Sequence, residues 1–182
     1  MANARTFVGM KINTTHITAV AVNAIGQIVT GCHDLPLDDD SPESVVDVIK
    51  QLTMDCADEA VMSGLPAPCA VGVSLGGHIT DDSVTTFAPF LHWSKPVEFS
   101  AMIRKATGLP TGIYNDIDSL VVDACMFGSG VGLNSFAVVT IGIGVGIFAH
   151  RQRRADRQSR QKLWPGRAYS GRPRRAALHF RT

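Results

Sequence analysis

Two short runs near the start of the chain, Phe7 to Ile12 and Ile17 to Val22, are rich in apolar and β-branched residues. The four residues between them, Asn13-Thr14-Thr15-His16, are polar. This pattern predicts two strands joined by a hairpin turn. Asn23-Ala24-Ile25-Gly26 supplies a second turn, and Gln27 to Cys32 a third strand. After a polar break at Asp38 to Ser41 the period lengthens. Val45, Ile49, Leu52 and Cys56 now fall on one face of a helix. Ser41 is its expected N-cap, Pro42 its first residue, and Glu43 sits at its positive end.

Ala70 to Leu75 reads as a buried strand that runs into Gly76-Gly77. Phe99 to Ala106 predicts a short helix halted by Gly108 and Pro110. Thr111 to Tyr114 is a further strand. It delivers Asn115-Asp116 to the start of a helix through Met126, with Ile117, Leu120, Val121 and Ala124 as the apolar stripe. Gly128 to Gly132 is a turn, and Ser135 to Ile141 with Val145 to Ala149 makes a closing hairpin. Three strands in meander, then helix, strand, helix, strand, helix, predict an α/β layered domain with a mixed sheet. No internal repeat is visible.

A length of 182 residues with 45% hydrophobic and 18% charged residues fits a folded domain with a real core. The net charge of +1 hides a division. Residues 1–150 carry six Lys and Arg against fifteen acids, a net of −9, whereas residues 151–182 carry eleven against one, a net of +10. The acidic body is a poor candidate for direct nucleic-acid binding. Cys32, Cys56, Cys69 and Cys125 show no paired metal spacing, so buried filler is favoured over a metal site. The start lacks a signal-peptide pattern, and Phe136 to Ala149 is too short and glycine-rich to span a bilayer, which points to the cytoplasm and no membrane partner.

Candidate chemistry lies at the strand ends. Gly142, Gly144 and Gly146 strip side chains from one face of an extended segment, so a ligand can approach bare backbone there. The first hairpin turn, Gly76-Gly77 and Asn115-Asp116 each follow a predicted strand, where ligands of open α/β sheets gather. Each site also has a plainer reading. Gly76 and Gly77 make an ordinary tight turn, and Asn115 and Asp116 cap the helix that follows.

Six phrases occur in one order: Val8-Gly9 with the hairpin after it, Val71-Gly72-Val73-Ser74-Leu75-Gly76-Gly77, Ala88-Pro89-Phe90-Leu91-His92-Trp93, Thr107-Gly108-Leu109-Pro110, Asn115-Asp116, and Ile141-Gly142-Ile143-Gly144-Val145-Gly146. In that order and spacing the chain resembles the ROK family of repressors, uncharacterised frames and sugar kinases over about residues 7–149. The resemblance implies an actin-like, ribonuclease-H-like ATPase fold, of which residues 1–150 would be the N-terminal lobe. Gly-Val-Ser-Leu-Gly-Gly-His and Ala-Pro-Phe-Leu look most like the transcriptional-regulator branch. By the same resemblance, Asp116 matches the kinases' general base, and Asn115, Gly76 and Gly77 match sugar-binding positions. Asn13, Thr14, Thr15, Gly142, Gly144 and Gly146 match phosphate-binding positions, with no metal ligand assigned.

The departures carry as much weight. Where family kinases open with Asp-x-Gly-Gly-Thr, this chain has Lys11, Asn13, Thr14 and Thr15, so a cation replaces an acid that helps organise magnesium and phosphate. Lysine is also a common solvated strand residue; even so, the acid is gone. Phe90 stands where sugar kinases usually place an asparagine. The family's sugar-binding Glu-x-x-His run, its zinc loop and the regulators' winged helix-turn-helix have no counterpart in this sequence.

Residues 151–182 hold ten arginines and no apolar periodicity. They read either as a basic arm or as the product of a shifted reading frame. Shifting the codons of Trp164 to Gly171 by one base permits Gly-Leu-Ala-Gly-His-Ile-Pro-Val, close to the run expected after this hairpin. The frameshift is the preferred reading, and it predicts a disordered tail.

Three functions follow as expectations, the last of them a non-catalytic product or a basic-tailed binding protein. The first is a truncated effector lobe of a sugar-responsive regulator, meeting DNA only as part of a full-length protein. The second is an ATP-dependent, glucokinase-like sugar kinase with Asp116 as base, for which alone ATP and magnesium are implied. Either way the ligand is a small sugar, catalysis by this chain as it stands is not expected, and a bared apolar face favours a homo-oligomer.

Overall fold

Alternation along the first strand sets the layers. In β1 (Thr6–Ile12) Val8, Met10 and Ile12 are buried while Lys11 is exposed. The computed structural model describes residues 5–80, 83–141 and 145–151. β2 (His16–Asn23) returns antiparallel, setting Ile17, Ala19 and Ala21 opposite Ile12, Met10 and Val8 on the same buried face. β4 (Val71–Leu75) lies parallel to β1 on its other side, and β7 (Thr111–Asn115) lies parallel to β4. With β3 (His33–Pro36) at the far edge, the order is β3-β2-β1-β4-β7, the mixed sheet expected from the sequence.

The third strand is displaced from its expected place. Gln27 to Cys32 was the predicted strand, but only Ile28 bridges to Val22, and the ladder resumes at His33 opposite Ala19. Three steps along β2 are therefore matched by five along the edge segment, so the edge bulges. The Thr30 hydroxyl accepts the Ala21 N–H (2.8 Å), taking the place of a backbone partner at the break.

Helix α1 (Pro42–Met62) begins as its sequence dictates. Ser41 caps it, its hydroxyl accepting the Ser44 N–H, with Pro42 and Glu43 in the first turn. Val45, Ile49, Leu52 and Cys56 are fully buried against the sheet. Burial, helped by the nearby Asp55 and Glu59 carboxylates, pushes the Cys56 thiol up to about 11. The filler reading holds for Cys56; Cys32 and Cys69 are exposed and Cys125 is half-buried. Helix α2 (Phe99–Thr107) buries Phe99 and Ile103 and ends at Gly108, whose left-handed φ of 72° suits glycine.

A hairpin of β5 (His78–Ile79) and β6 (Thr85–Phe87), then a 3-10 turn at Pro89–Leu91, follow β4; all three were too short to show as a pattern. Helix α3 (Asp116–Met126) starts where expected, but of its predicted stripe only Val121 is buried, and Leu120 is 47% exposed. No helix among the described residues is long and apolar enough to cross a membrane.

The chain divides into two compact units, Met1–Gly132 and Leu133–Thr182. In the second, β8 (Ser135–Ile141) pairs antiparallel with β9 (Val145–Arg151), as the glycine-punctuated hairpin predicted. Its Phe136 and His150 rings face each other across the strands, centroids 5.0 Å apart. The expected arginine-rich tail beyond Arg151 lies outside the described residues.

Candidate functional site

Parallel pairing brings three strand ends to one edge. Ile12, Leu75 and Asn115 lie in register across β1, β4 and β7. The segments leaving those strands therefore emerge side by side, about 4.8 Å from strand to strand. Asn13, Thr14 and Thr15 leave β1, Gly76 and Gly77 leave β4, and Asn115-Asp116 closes β7. Three sequence-predicted clusters thus form one row along the carboxyl edge. Gly146 lies in β9 of the second unit, opposite Thr140. Gly142 and Gly144 fall outside the described residues.

Asn115 is a structural keystone of that row. Its side-chain oxygen accepts the Ile117 N–H (2.8 Å), capping α3, while its amide donates to the Gly77 carbonyl (2.7 Å). One side chain thus ties the β4 loop to the start of α3. Asp116 also receives the Ile117 N–H on Oδ1 (3.0 Å). Among the described residues its Oδ2 has no hydrogen-bond partner, and it faces Gly76 at 3.7 Å from where a Cβ would stand. Asp118, two residues further, is raised from the ordinary aspartate value by burial and then by the Asp116 charge. It went unnoticed in the sequence, although Asp-x-Asp opening a helix was a visible signal.

The two glycines differ. A Cβ on Gly77 would stand 2.5 Å from the Phe87 carbonyl oxygen, so only glycine fits beside β6. A Cβ on Gly76 would meet the Phe90 ring at 3.2 Å, so that ring packs over Gly76, with Asp116 Oδ2 close by. Phe90 is held by its neighbours: Ala88 bridges Trp93, and Ala88, Leu91 and Trp93 are buried. The Trp93 ring stands edge-on to Phe99 and donates its N–H to the Asp40 carbonyl (2.6 Å), while His92 Nδ1 pairs with the Asp40 carboxylate.

The β1 turn closes on itself. Asn13 Nδ2 lies 3.0 Å from His16 Nε2, and Thr15 Oγ1 lies 3.1 Å from His16 Nδ1. Thr14 is exposed. Lys11 precedes this turn in register with Ser74 and Tyr114, its exposed side chain two strands from the residue before Asn115. Among the described residues no three His, Cys, Asp or Glu side chains gather in a way that could hold a metal ion.

The sequence profile of the ROK family matches residues 7–150, which contain both the sheet and the strand-end row. The chain belongs to the ROK family. Solved ROK structures share its actin-like α/β fold. A ROK glucokinase from Streptomyces griseus, in complex with glucose and AMPPNP, superposes with a TM-score of 0.69 at 23% identity, over 83% of this chain and 47% of that one. A polyphosphate/ATP-glucomannokinase from Arthrobacter sp. strain KM gives 0.67 at 23% identity, over 81% and 58%. A ROK transcriptional regulator homologous to the Escherichia coli Mlc protein gives 0.69 at 16% identity, over 82% and 37%. The chain thus spans about half the length of the solved structures it matches. No curated protein sequence gives a significant match.

Proposed function

We propose that this chain is the sugar-sensing lobe of a ROK transcriptional regulator, and that it binds its sugar without phosphorylating it. The observation that carries this reading is the β1 turn: Asn13 and Thr15 are turned onto His16, and Lys11 precedes them. A metal-bound triphosphate needs a carboxylate for the metal and bare backbone for the phosphates. A lysine and three side-chain-bearing residues do not fit that group.

In this reading Asp116 accepts a sugar hydroxyl on Oδ2 beside Gly76, and Asn115 with Gly77 holds the two loops in register. A sugar bound in one arrangement of the protein and not in another shifts the balance between them, which is what a sensor requires. DNA contact falls to other parts of a full-length regulator, since residues 1–150 are strongly acidic. We place the protein in the cytoplasm, with self-association through the exposed apolar side chains of α3, and take residues 151–182 as a frame-shifted tail. Sequencing the encoding gene tests that last point: a shifted frame without a recognisable second lobe would refute it.

The kinase reading keeps one favourable observation, Asp116 Oδ2 lying near Gly76 without a hydrogen-bond partner among the described residues. A coupled phosphorylation assay with ATP, magnesium and a hexose panel separates the two. No turnover is expected. Turnover that vanishes in Asp116→Ala would overturn the sensor reading.

A further inference from the structure

The turn between β1 and β2 holds a histidine with both ring nitrogens engaged. His16 Nε2 lies 3.0 Å from Asn13 Nδ2, and His16 Nδ1 lies 3.1 Å from Thr15 Oγ1. The ring is half-buried, and backbone bonds fix the residues around it. The Asn13 N–H donates to the His16 carbonyl (2.9 Å), and the Leu37 N–H donates to the Thr15 carbonyl (2.9 Å). Asn13 Oδ1 has no hydrogen-bond partner among the described residues.

Matching donors to acceptors assigns the proton. An amide nitrogen only donates, so the Nε2 that faces Asn13 Nδ2 is the bare, accepting nitrogen. The single N–H of the neutral ring is then on Nδ1, which donates it to the Thr15 hydroxyl oxygen. This arrangement suits only an uncharged His16. A second ring proton has no place but Nε2, where it would meet the amide hydrogens of Asn13 across 3.0 Å. Turning the Asn13 amide half a turn about its last bond removes the conflict. Oδ1 then accepts the Nε2 proton in a charge-assisted bond, stronger than the neutral one it replaces. Nδ2 takes the place that Oδ1 held, on the side away from the ring. Thr15 need not move, since Nδ1 donates in both states.

We infer that His16 and Asn13 form a proton-operated switch at the β1 end of the strand-end row. With His16 neutral, the free side of the Asn13 amide is an acceptor. With His16 charged, that side is a donor beside a positive ring. Asn13 is the first residue to leave β1, so the switch changes the hydrogen-bonding character of one segment of the row. The charges that face the pair come from both neighbouring strands. Lys11 of β1 opposes Thr18, and Asp34 of β3 accepts the Thr18 hydroxyl on the other side. Asp38 follows two residues after Pro36, the register partner of His16. The inference goes beyond the sugar-sensing reading and does not depend on it, since it needs the turn alone.

The test is a titration of the full chain, labelled with nitrogen-15, from about pH 8 to about pH 5, the span over which imidazoles change charge. Long-range proton–nitrogen spectra of the histidine rings read which nitrogen holds the proton. The side-chain amide resonances of Asn13 read the flip. At the alkaline end His16 should show a bare Nε2 and a protonated Nδ1. As the ring charges, the Asn13 amide resonances should shift with the same midpoint as His16. His16→Gln should abolish that shift. Asn13→Asp, whose carboxylate only accepts, should move the neutral ring's proton to Nε2. Asn23 serves as the reference. Its amide donates to Gln27 Oε1 (2.9 Å) and its oxygen accepts the Ile25 and Gln27 N–H groups, so its resonances should stay still. Unshifted backbone amides in the rest of β1 and β2 confirm that each variant folds. A ring protonated on Nε2 at the alkaline end, wholly or in equal share, would overturn the inference. So would Asn13 resonances that ignore the His16 titration or still respond in His16→Gln, or a proton that stays on Nδ1 in Asn13→Asp.

Discussion

Adding one methyl at Gly77 and one at Gly76 should have opposite consequences. At Gly77 the methyl carbon would stand 2.5 Å from the Phe87 carbonyl oxygen, 3.2 Å from Leu75 Cδ1 and 3.3 Å from the Ala88 Cα. Two of those neighbours are backbone, pinned by the Ala88–Trp93 bridge and by Trp93 buried against Phe99. Relief requires moving β6 or the β4 loop, which also strains the bond from Asn115 to the Gly77 carbonyl. Overpacking of this kind costs about 1–3 kcal/mol. For a unit of this size that lowers Tm by roughly 4–12 °C. At Gly76 the nearest atoms belong to the Phe90 ring, the free end of a half-exposed side chain. Gly76→Ala should therefore cost less than about 1 kcal/mol while displacing the ring, setting a methyl beside Asp116 and abolishing sugar binding. Thermal and urea unfolding measure the first effect, amide titration with sugar the second. A Gly77→Ala protein as stable as the parent, or a Gly76→Ala protein less stable than Gly77→Ala, would refute the packing argument.

Asn115→Ala removes the cap of α3 and the tie to Gly77 together, so it should cost about 1–3 kcal/mol in urea unfolding. Among the described residues Thr85 Oγ1 is buried without a hydrogen-bond partner, so Thr85→Val should leave stability unchanged or raise it by up to about 1 kcal/mol; a clear loss would reveal a hidden partner. Asp118 is held above its ordinary value, so the folded protein keeps its proton longer than the unfolded chain does. Its contribution therefore declines as pH rises through the carboxylate range. Asp118→Asn should flatten that fall and be the more stable form at neutral pH, as Tm against pH will show.

What was legible in the sequence was whatever local physics alone decides. Ser41, Pro42 and Glu43 announce α1, Gly108 ends α2, and the alternation of Val8, Met10 and Ile12 sets the buried face of β1 whatever lies beside it. The three candidate clusters could be named from their glycines and acids. Their meeting depended on β1, β4 and β7 being parallel neighbours, which the strand–helix–strand order implied. The edge strand was harder. Ile28 and Val29 look like strand residues, yet the ladder forms at His33–Pro36, because a bulge at an edge depends on which groups find partners across the gap. The exposure of Leu120 was equally hidden, since a helical stripe shows which face is apolar but not whether anything covers it. Phe90 could be placed by resemblance, but its packing over Gly76 arises from a 3-10 turn too short to leave a periodic signal.

Sensing without phosphoryl transfer is tested most directly by mapping two ligands on one isotope-labelled sample. A sugar should shift the amides of Gly76, Gly77 and Asn115, and magnesium-ATP should leave Asn13, Thr14 and Thr15 where they were. Saturable shifts at Asn13–Thr15 with magnesium-ATP, abolished by adding chelator, would contradict the account.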